Sequence, residues 1–274
     1  MNFDDAVKKL AEAGIESPRA EARLLLAHAL GVSRDETLGP VNPTPEQALA
    51  FEGLVARRAA REPSAYITGR REFWSLDFRV GPGVLIPRPD SETLIEEALR
   101  IFPDRTLPLS IADLGAGSGI LLVAALKEFP NARGIGFEFS DAAIPFARLN
   151  AERHAMGRAQ IRHADWNSAP ENSFDLIFSN PPYIPAGEIA GLEPDVADHE
   201  PRAALDGGVD GLDAYRALAL LLPRILKKGG WAILEIGAGQ GPQVELLFRD
   251  GGLAVRRITP DLAGIPRALV LEKA

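Results

Sequence analysis

The chain has 274 residues, 46% hydrophobic and 25% charged, with a formal net charge of −8. That balance suits an ordinary globular protein of one large or two modest domains. It holds no cysteine, which excludes disulfides, thiolate metal sites and cysteine nucleophiles. The four histidines (His28, His154, His163 and His199) show no metal-ligand spacing, so no metal is expected. No apolar run approaches the roughly eighteen residues a spanning helix needs. The acidic start, Met1-Asn2-Phe3-Asp4-Asp5, lacks a signal-peptide pattern. A cytoplasmic protein without a membrane role is therefore expected. Residues 1–75 carry 10 basic and 11 acidic side chains, and the remainder 20 and 27. Neither part is a basic module, which argues against nucleic acid as the main substrate.

Residues 1–72 read as a small helical bundle. Phe3, Val7, Leu10 and Ala11 recur at helical spacing. Ser17-Pro18 predicts an N-cap with proline at the first helical position, and Gly31 ends the next apolar face. Asn42-Pro43-Thr44-Pro45 opens a further helix. Arg57-Arg58 and Arg70-Arg71 read as solvated helix faces. Residues 73–87 alternate and then turn at Gly81-Pro82-Gly83, which predicts a hairpin linker. A catalytic domain would fill residues 88–274, opening with a helix from Ser91.

From about residue 109 strand and helix patterns alternate. Strands are predicted near 110–114, 134–138, 160–163, 174–179, 230–235, 254–258 and 268–272, and helices near 119–128, 141–155, 212–227 and 240–250. That rhythm predicts a doubly wound, seven-stranded, Rossmann-like α/β sheet. Residues 184–211 form the longest stretch without regular signal, and a loop that long beside a ligand edge is more often functional than idle.

Two motifs carry chemistry. Asp113-Leu114-Gly115-Ala116-Gly117-Ser118-Gly119 joins a strand pattern to a helix pattern, with Glu138 about twenty residues on at the end of the next apolar run. Glycines there allow a tight turn and close approach of backbone to ligand, and an acid at that distance can accept both hydroxyls of a ribose. The turn is neither the dinucleotide fingerprint nor a P-loop. It resembles the cofactor loop of S-adenosylmethionine-dependent methyltransferases. The second motif, Asn180-Pro181-Pro182-Tyr183, comes directly after the apolar run Phe174–Ser179. Two prolines stop the strand and stiffen the chain beyond it. An Asn amide is thus held at a strand's C-terminal edge, where open α/β sheets bind ligands. Its acceptor and donors suit a second planar N–H group, an amide or an exocyclic amine.

With these motifs and the segments Leu85-Ile86-Pro87-Arg88-Pro89-Asp90-Ser91-Glu92 and Glu200-Pro201-Arg202-Ala203-Ala204-Leu205-Asp206-Gly207-Gly208, the chain resembles, nearly end to end, the HemK/PrmC family of protein-(glutamine-N5) methyltransferases. It departs from that pattern mildly. Glu138 stands where Asp is common, and Ala116 where Thr is often found. The resemblance implies S-adenosyl-L-methionine as cofactor, with S-adenosyl-L-homocysteine as product. The implied substrate is the Gln of a Gly-Gly-Gln motif in class-1 peptide chain release factors. It further implies that Gly115, Ala116, Gly117, Ser118 and Gly119 border the methionine part of the cofactor. Asp113 would meet the loop or the cofactor amine, or simply cap the turn. Glu138 would take the ribose. Asp165 and Trp166 would meet the adenine, or Trp166 would be core. Asn180, at once a cofactor and a catalytic position, would accept one substrate N–H, and the carbonyl of Pro181 or Pro182 the other. Tyr183 would pack on the amide plane. Arg88 and Glu92 would help close the site. The helical domain would dock the release factor, and a monomer is expected. Two rivals stay open: a nucleic-acid exocyclic-amine methyltransferase (adenine N6 or guanine N2), and a non-catalytic binding module on the same fold.

Overall fold

A computed structural model describes all residues, Met1–Ala274. The chain forms two compact units, Met1–Arg70 with Glu193–His199, and Arg71–Leu192 with Glu200–Ala274.

The first unit packs helices α1 (Phe3–Glu12), α2 (Pro18–Leu30), α3 (Pro45–Ala59) and α4 (Ser64–Thr68) around Ala6, Leu10, Leu25, Phe51, Val55 and Ile67. Asn2 caps α1, its side chain accepting from Asp5 N. Thr44 and Gln47 form a reciprocal capping box on α3. Ser17 does not cap α2. Its φ is 51° and its side chain makes no cap hydrogen bond, so Pro18 alone marks that start. Arg58 is not solvated either. It is buried, pairing with Glu21 at 3.1 Å and Asp195 at 2.7 Å, while Arg61 pairs with Asp195 at 2.6 Å and Glu193 at 3.1 Å. A local helical pattern could not show this, because Glu21 lies on α2 and the other partners come from about 130 residues downstream, in α8 (Pro194–Ala197) and its flank. Arg70 and Arg71 lie in a strand rather than on a helix.

The hairpin is β1 (Arg70–Phe73) and β2 (Leu76–Arg79). It turns at Trp74-Ser75, both at positive φ (52° and 56°), and not at Gly81-Pro82-Gly83. Two consecutive left-handed residues are the type I′ geometry that fits strand twist. Trp and Ser conceal that turn from a sequence reading, which looks for Asn or Gly. The turn is pinned from outside: Glu92 Oε1 accepts from Trp74 N at 2.7 Å, and Trp74 Nε1 donates to Glu128 at 2.9 Å.

After α5 (Glu92–Ile101) the second unit alternates β3 (Ser110–Leu114), α6 (Ile120–Glu128), β4 (Arg133–Glu138), α7 (Ile144–Ala155), β5 (Ala159–His163), β6 (Phe174–Ser179), α9 (Asp213–Ile225), β7 (Leu226–Glu235), α10 (Gly241–Asp250), β8 (Ala254–Pro260) and β9 (Pro266–Glu272). The sheet order is β5-β4-β3-β6-β7-β9-β8, parallel except where β9 runs antiparallel to β7 and β8. Both faces are covered, so strand residues alternate between two cores. Ile111, Leu176 and Phe178 pack with α5, α6 and α7. Ala112, Leu114 and Ile177 pack with Tyr215, Leu218 and Leu222 of α9 and Val244 and Phe248 of α10. Glycine in β4 is a packing requirement. A Cβ on Gly134 would stand 2.3 Å from Leu122 Cδ1 and one on Gly136 3.0 Å from Ala116 Cβ, so α6 and the glycine turn before it lie close on the strand. Strand order reverses between β3 and β6, which opens a crevice at their C-terminal ends.

Candidate active site

The crevice holds a cavity of about 300 Å³ whose lining lies wholly within the second unit. Its floor is the glycine turn after β3. Gly115, Gly117 and Gly119 adopt φ of 77°, 55° and 82°, a region costly to side chains other than glycine. The turn is tied to β4: Gly115 N and Ala116 N both donate to Phe137 O, at 2.9 and 3.0 Å. Nothing stands within 4 Å of where a Gly117 Cβ would project, so the backbone there is open to a ligand. Gly115, Ala116, Gly117 and Ser118 line the cavity, while Gly119 does not. A Cβ on Gly119 would stand 3.6 Å from the Ala147 backbone of α7, an ordinary contact, so its φ of 82° is what calls for glycine there.

Asp113 lies in β3 on the face toward α6. One carboxylate oxygen, Oδ2, accepts from Leu122 N at 3.2 Å, while Oδ1 is buried at the cavity with no partner. Burial pushes its pKa up to about 7. The Leu122 N–H opposes that rise and the Glu138 charge adds to it. Glu138, at the end of β4, accepts from Gly117 N through Oε2 and from Ser140 N through Oε1, both at 2.7 Å. It therefore fastens the glycine turn, and each oxygen retains a second lone pair for a ligand hydroxyl. Asp165 and Trp166 follow β5 and line the same cavity. Asp165 Oδ1 is engaged with Asn167 N at 2.7 Å, and the Trp166 ring is 3.6 Å from where a Gly115 Cβ would stand.

Asn180 reaches the cavity from the end of β6, beside Pro182. The Pro182 carbonyl lies 2.9 Å from the position of a Gly207 Cβ, so that glycine is required by close approach. Pro181 is buried and does not line the cavity, nor does Tyr183. Tyr183 is anchored at two points. Its hydroxyl donates to Glu235 Oε1 at 3.2 Å and its carbonyl accepts from Gln240 Nε2 at 2.8 Å. Desolvation raises the Tyr183 pKa, and the Glu235 charge adds to the rise. Of the residues expected to close the site, Arg88 lines the cavity and pairs with the buried carboxylate of Glu200, whose Oε2 also accepts from Ile86 N at 3.1 Å. Glu92 serves the hairpin turn instead.

The residue set suits S-adenosylmethionine: an unpartnered buried carboxylate for an ammonium, an acid beside the turn for a ribose, and an indole for a purine. Comparisons with known proteins agree. Residues 3–69 match the PrmC N-terminal domain and residues 94–191 the methyltransferase small domain. The chain is 44% identical over 269 residues to the release factor glutamine methyltransferase of Caulobacter vibrioides, covering 97% of this chain and 93% of that one. It is 46% identical over 265 residues to that of Cereibacter sphaeroides, covering 96% and 94%. The chain belongs to the release factor glutamine methyltransferase family.

Among solved structures, a methyltransferase of Pyrococcus furiosus shares the fold with a TM-score of 0.53 at 19% identity, covering 82% of this chain and all of that one. A 16S rRNA methyltransferase of T. thermophilus, in complex with AdoMet and guanosine, aligns with a TM-score of 0.52 at 23% identity, covering 75% and 50%. No helix of this family member is long and apolar enough to cross a membrane.

Two side chains of the site escaped the sequence reading as individuals. Ser91 lines the cavity and Glu235 sits directly behind it at the end of β7. A signal for Glu235 existed. Like Asp113 and Glu138 it is an acid at or next to the C-terminal end of an apolar parallel strand, where the sheet's ligand edge lies.

Proposed function

We propose that this chain transfers the methyl group of S-adenosylmethionine to the side-chain amide nitrogen (N5) of the Gln in the Gly-Gly-Gln motif of class-1 peptide chain release factors. The observation that supports this most is the placing of the Asn180 carboxamide and the glycine turn on one cavity. When bound, the cofactor supplies an electrophilic methyl group on a sulfonium. An amide nitrogen is a weak nucleophile because resonance engages its lone pair. The work of this chain is then positioning, which supplies ~7–11 kcal/mol of a barrier in favourable cases. Asn180 Oδ1 accepts one N–H of the substrate amide and a backbone carbonyl of the proline pair accepts the other. The lone pair is thereby aimed across the cavity. Asp113 meets the cofactor ammonium through its unpartnered oxygen, Glu138 the ribose, and Asp165 with Trp166 the adenine. The setting is the cytoplasm, the enzyme acts as a monomer, and no nucleic acid is bound.

Incubation of the enzyme with labelled S-adenosylmethionine and, separately, a class-1 release factor, DNA and RNA tests this reading. Label is expected on the release factor Gln alone. Label on nucleic acid selects the exocyclic-amine reading, and label on none selects a non-catalytic module.

The helical unit is the docking surface for the large protein substrate. Its Leu38 and Leu49 are apolar side chains left largely exposed, at 67% and 72%. Leu38→Asp and Leu49→Asp are expected to raise KM for the release factor severalfold while cofactor affinity stays unchanged. A KM equal to that of the unaltered enzyme in both variants removes the docking role from these positions. Point changes serve better than truncation, because deleting residues 1–70 strands Glu193 and Asp195 from their arginine partners.

A further inference from the structure

We propose that Ser91 and Glu235 are positioning residues that hold the Asn180 carboxamide in one orientation, oxygen toward the cavity. The inference rests on the proposed function, since it concerns how the substrate amide is presented. Glu235 is 2% exposed at the end of β7 and Ser91 is 1% exposed in the turn Pro89–Ser91. Ser91 Oγ donates to Glu235 Oε2 at 2.5 Å and Tyr183 donates to Oε1 at 3.2 Å. An ionised carboxylate only accepts, and a serine hydroxyl owns a single proton. That proton is spent on Glu235, so Ser91 faces Asn180 with lone pairs alone. Asn180 must then turn its Nδ2 toward Ser91, at a long 3.5 Å, a distance that substrate closure would shorten. A planar carboxamide with its nitrogen fixed on one side carries its oxygen on the other.

The consequence is selective. An inverted Asn180 would present NH2 to a substrate NH2, donor against donor. In this geometry both oxygens of Glu235 accept, Oε2 from Ser91 Oγ and Oε1 from the Tyr183 hydroxyl. Burial raises its pKa against the pull of the Ser91 hydrogen bond, the charge of Arg267 on β9 and the Tyr183 hydroxyl, and the Asp90 charge adds to the rise. Tyr215 holds the backbone of the same residue, donating to Glu235 O at 3.1 Å. One carboxylate therefore governs both ends of the Asn180–Tyr183 segment.

The test combines kinetics with a spectroscopic readout on the full chain. Ser91→Ala is expected to lower kcat about tenfold, the worth of one oriented hydrogen bond, with KM and cofactor Kd held. In an Asn180→Ala background the same change should cost nothing further, since residues acting as a unit are non-additive. Glu235→Gln should lower kcat in the same way, because its amide must offer a donor to one of the two hydroxyls. In 15N–1H spectra the Asn180 side-chain NH2 signal, assigned by its loss in Asn180→Ala, should move in both Ser91→Ala and Glu235→Gln. Full kcat in Ser91→Ala, an equal loss in the Asn180→Ala background, or an unmoved NH2 signal overturns the positioning role. If the unaltered enzyme labels no release factor, the proposed function falls, and the NH2 signal alone then decides the orientation.

Discussion

Asn180→Ala is expected to cut the rate of release-factor methylation by about 100- to 1,000-fold, the range seen when one preorganised polar contact to the reacting group is removed. That corresponds to roughly 3–4 kcal/mol of lost transition-state stabilisation. The reason is geometric. Asn180 comes after a six-residue buried strand and precedes a buried proline, so its backbone has little freedom. Alanine leaves that backbone in place and removes only the acceptor, so folding and the glycine turn survive. Cofactor affinity, measured by calorimetry, should change little, because the proposed ammonium and ribose contacts lie on β3 and β4. The loss should therefore fall on kcat. An Asn180→Ala enzyme with unchanged turnover would end the proposal that this side chain holds the substrate.

The second large effect concerns Asp113. Its carboxyl is buried with one oxygen unpartnered, and desolvation raises its pKa to about 7. The unfolded chain holds an aspartate near its ordinary value of about 3.9. Between those two values the folded state binds the proton and the unfolded state does not, so stability falls as pH rises through that window. Above it the ionised group costs the free protein up to about 4 kcal/mol. Asp113→Asn is therefore expected to raise the melting temperature of the free protein at pH 8 and to leave it unchanged near pH 4. Its affinity for S-adenosylmethionine should fall about 10- to 100-fold at pH 8, because the cofactor ammonium loses the charge that would offset burial. Thermal unfolding at both pH values, with calorimetric titration of the cofactor, checks both halves. Equal melting curves at pH 8 would show that the carboxyl is not held high. Equal affinity would remove it from the ammonium site.

Buried carboxylates recur across this ligand edge, and the stability they forgo is a common feature of functional sites. Asp113, Glu138 and Glu235 each stand at or next to the end of a parallel strand. Glu138 gives one lone pair of each oxygen to a backbone N–H group, whereas Glu235 is raised by burial against the pull of Ser91, Arg267 and Tyr183. The same residue type thus serves as a structural tie in one strand and an orienting acceptor in another, according to the donors around it.

Most of the architecture was readable from residue order alone. Seven apolar runs, four of their six gaps filled by helical patterns, placed the seven strands within a few residues at each end. Strand burial on two faces writes itself into sequence as continuous hydrophobic stretches. The glycine turn, Glu138 and Asn180 were legible for a similar reason: positive φ, a strand end and a proline pair are local constraints with local residue signatures. Local patterns failed where distant chain supplied the partner. Arg58 looks like a surface charge until Glu21 and Asp195 surround it. Trp74-Ser75 does not resemble a turn until Glu92 and Glu128 pin it. Nothing local to Tyr183 shows that its hydroxyl goes to Glu235. By itself the sequence determined which segments are strands, where the sheet's ligand edge lies and which family's motifs sit there, because those arise from backbone sterics and apolar period. Tertiary structure alone decided which polar side chains face the cavity and which are consumed in holding others, because a hydrogen bond between residues 91, 180 and 235 exists only once three separate elements have been brought to one place.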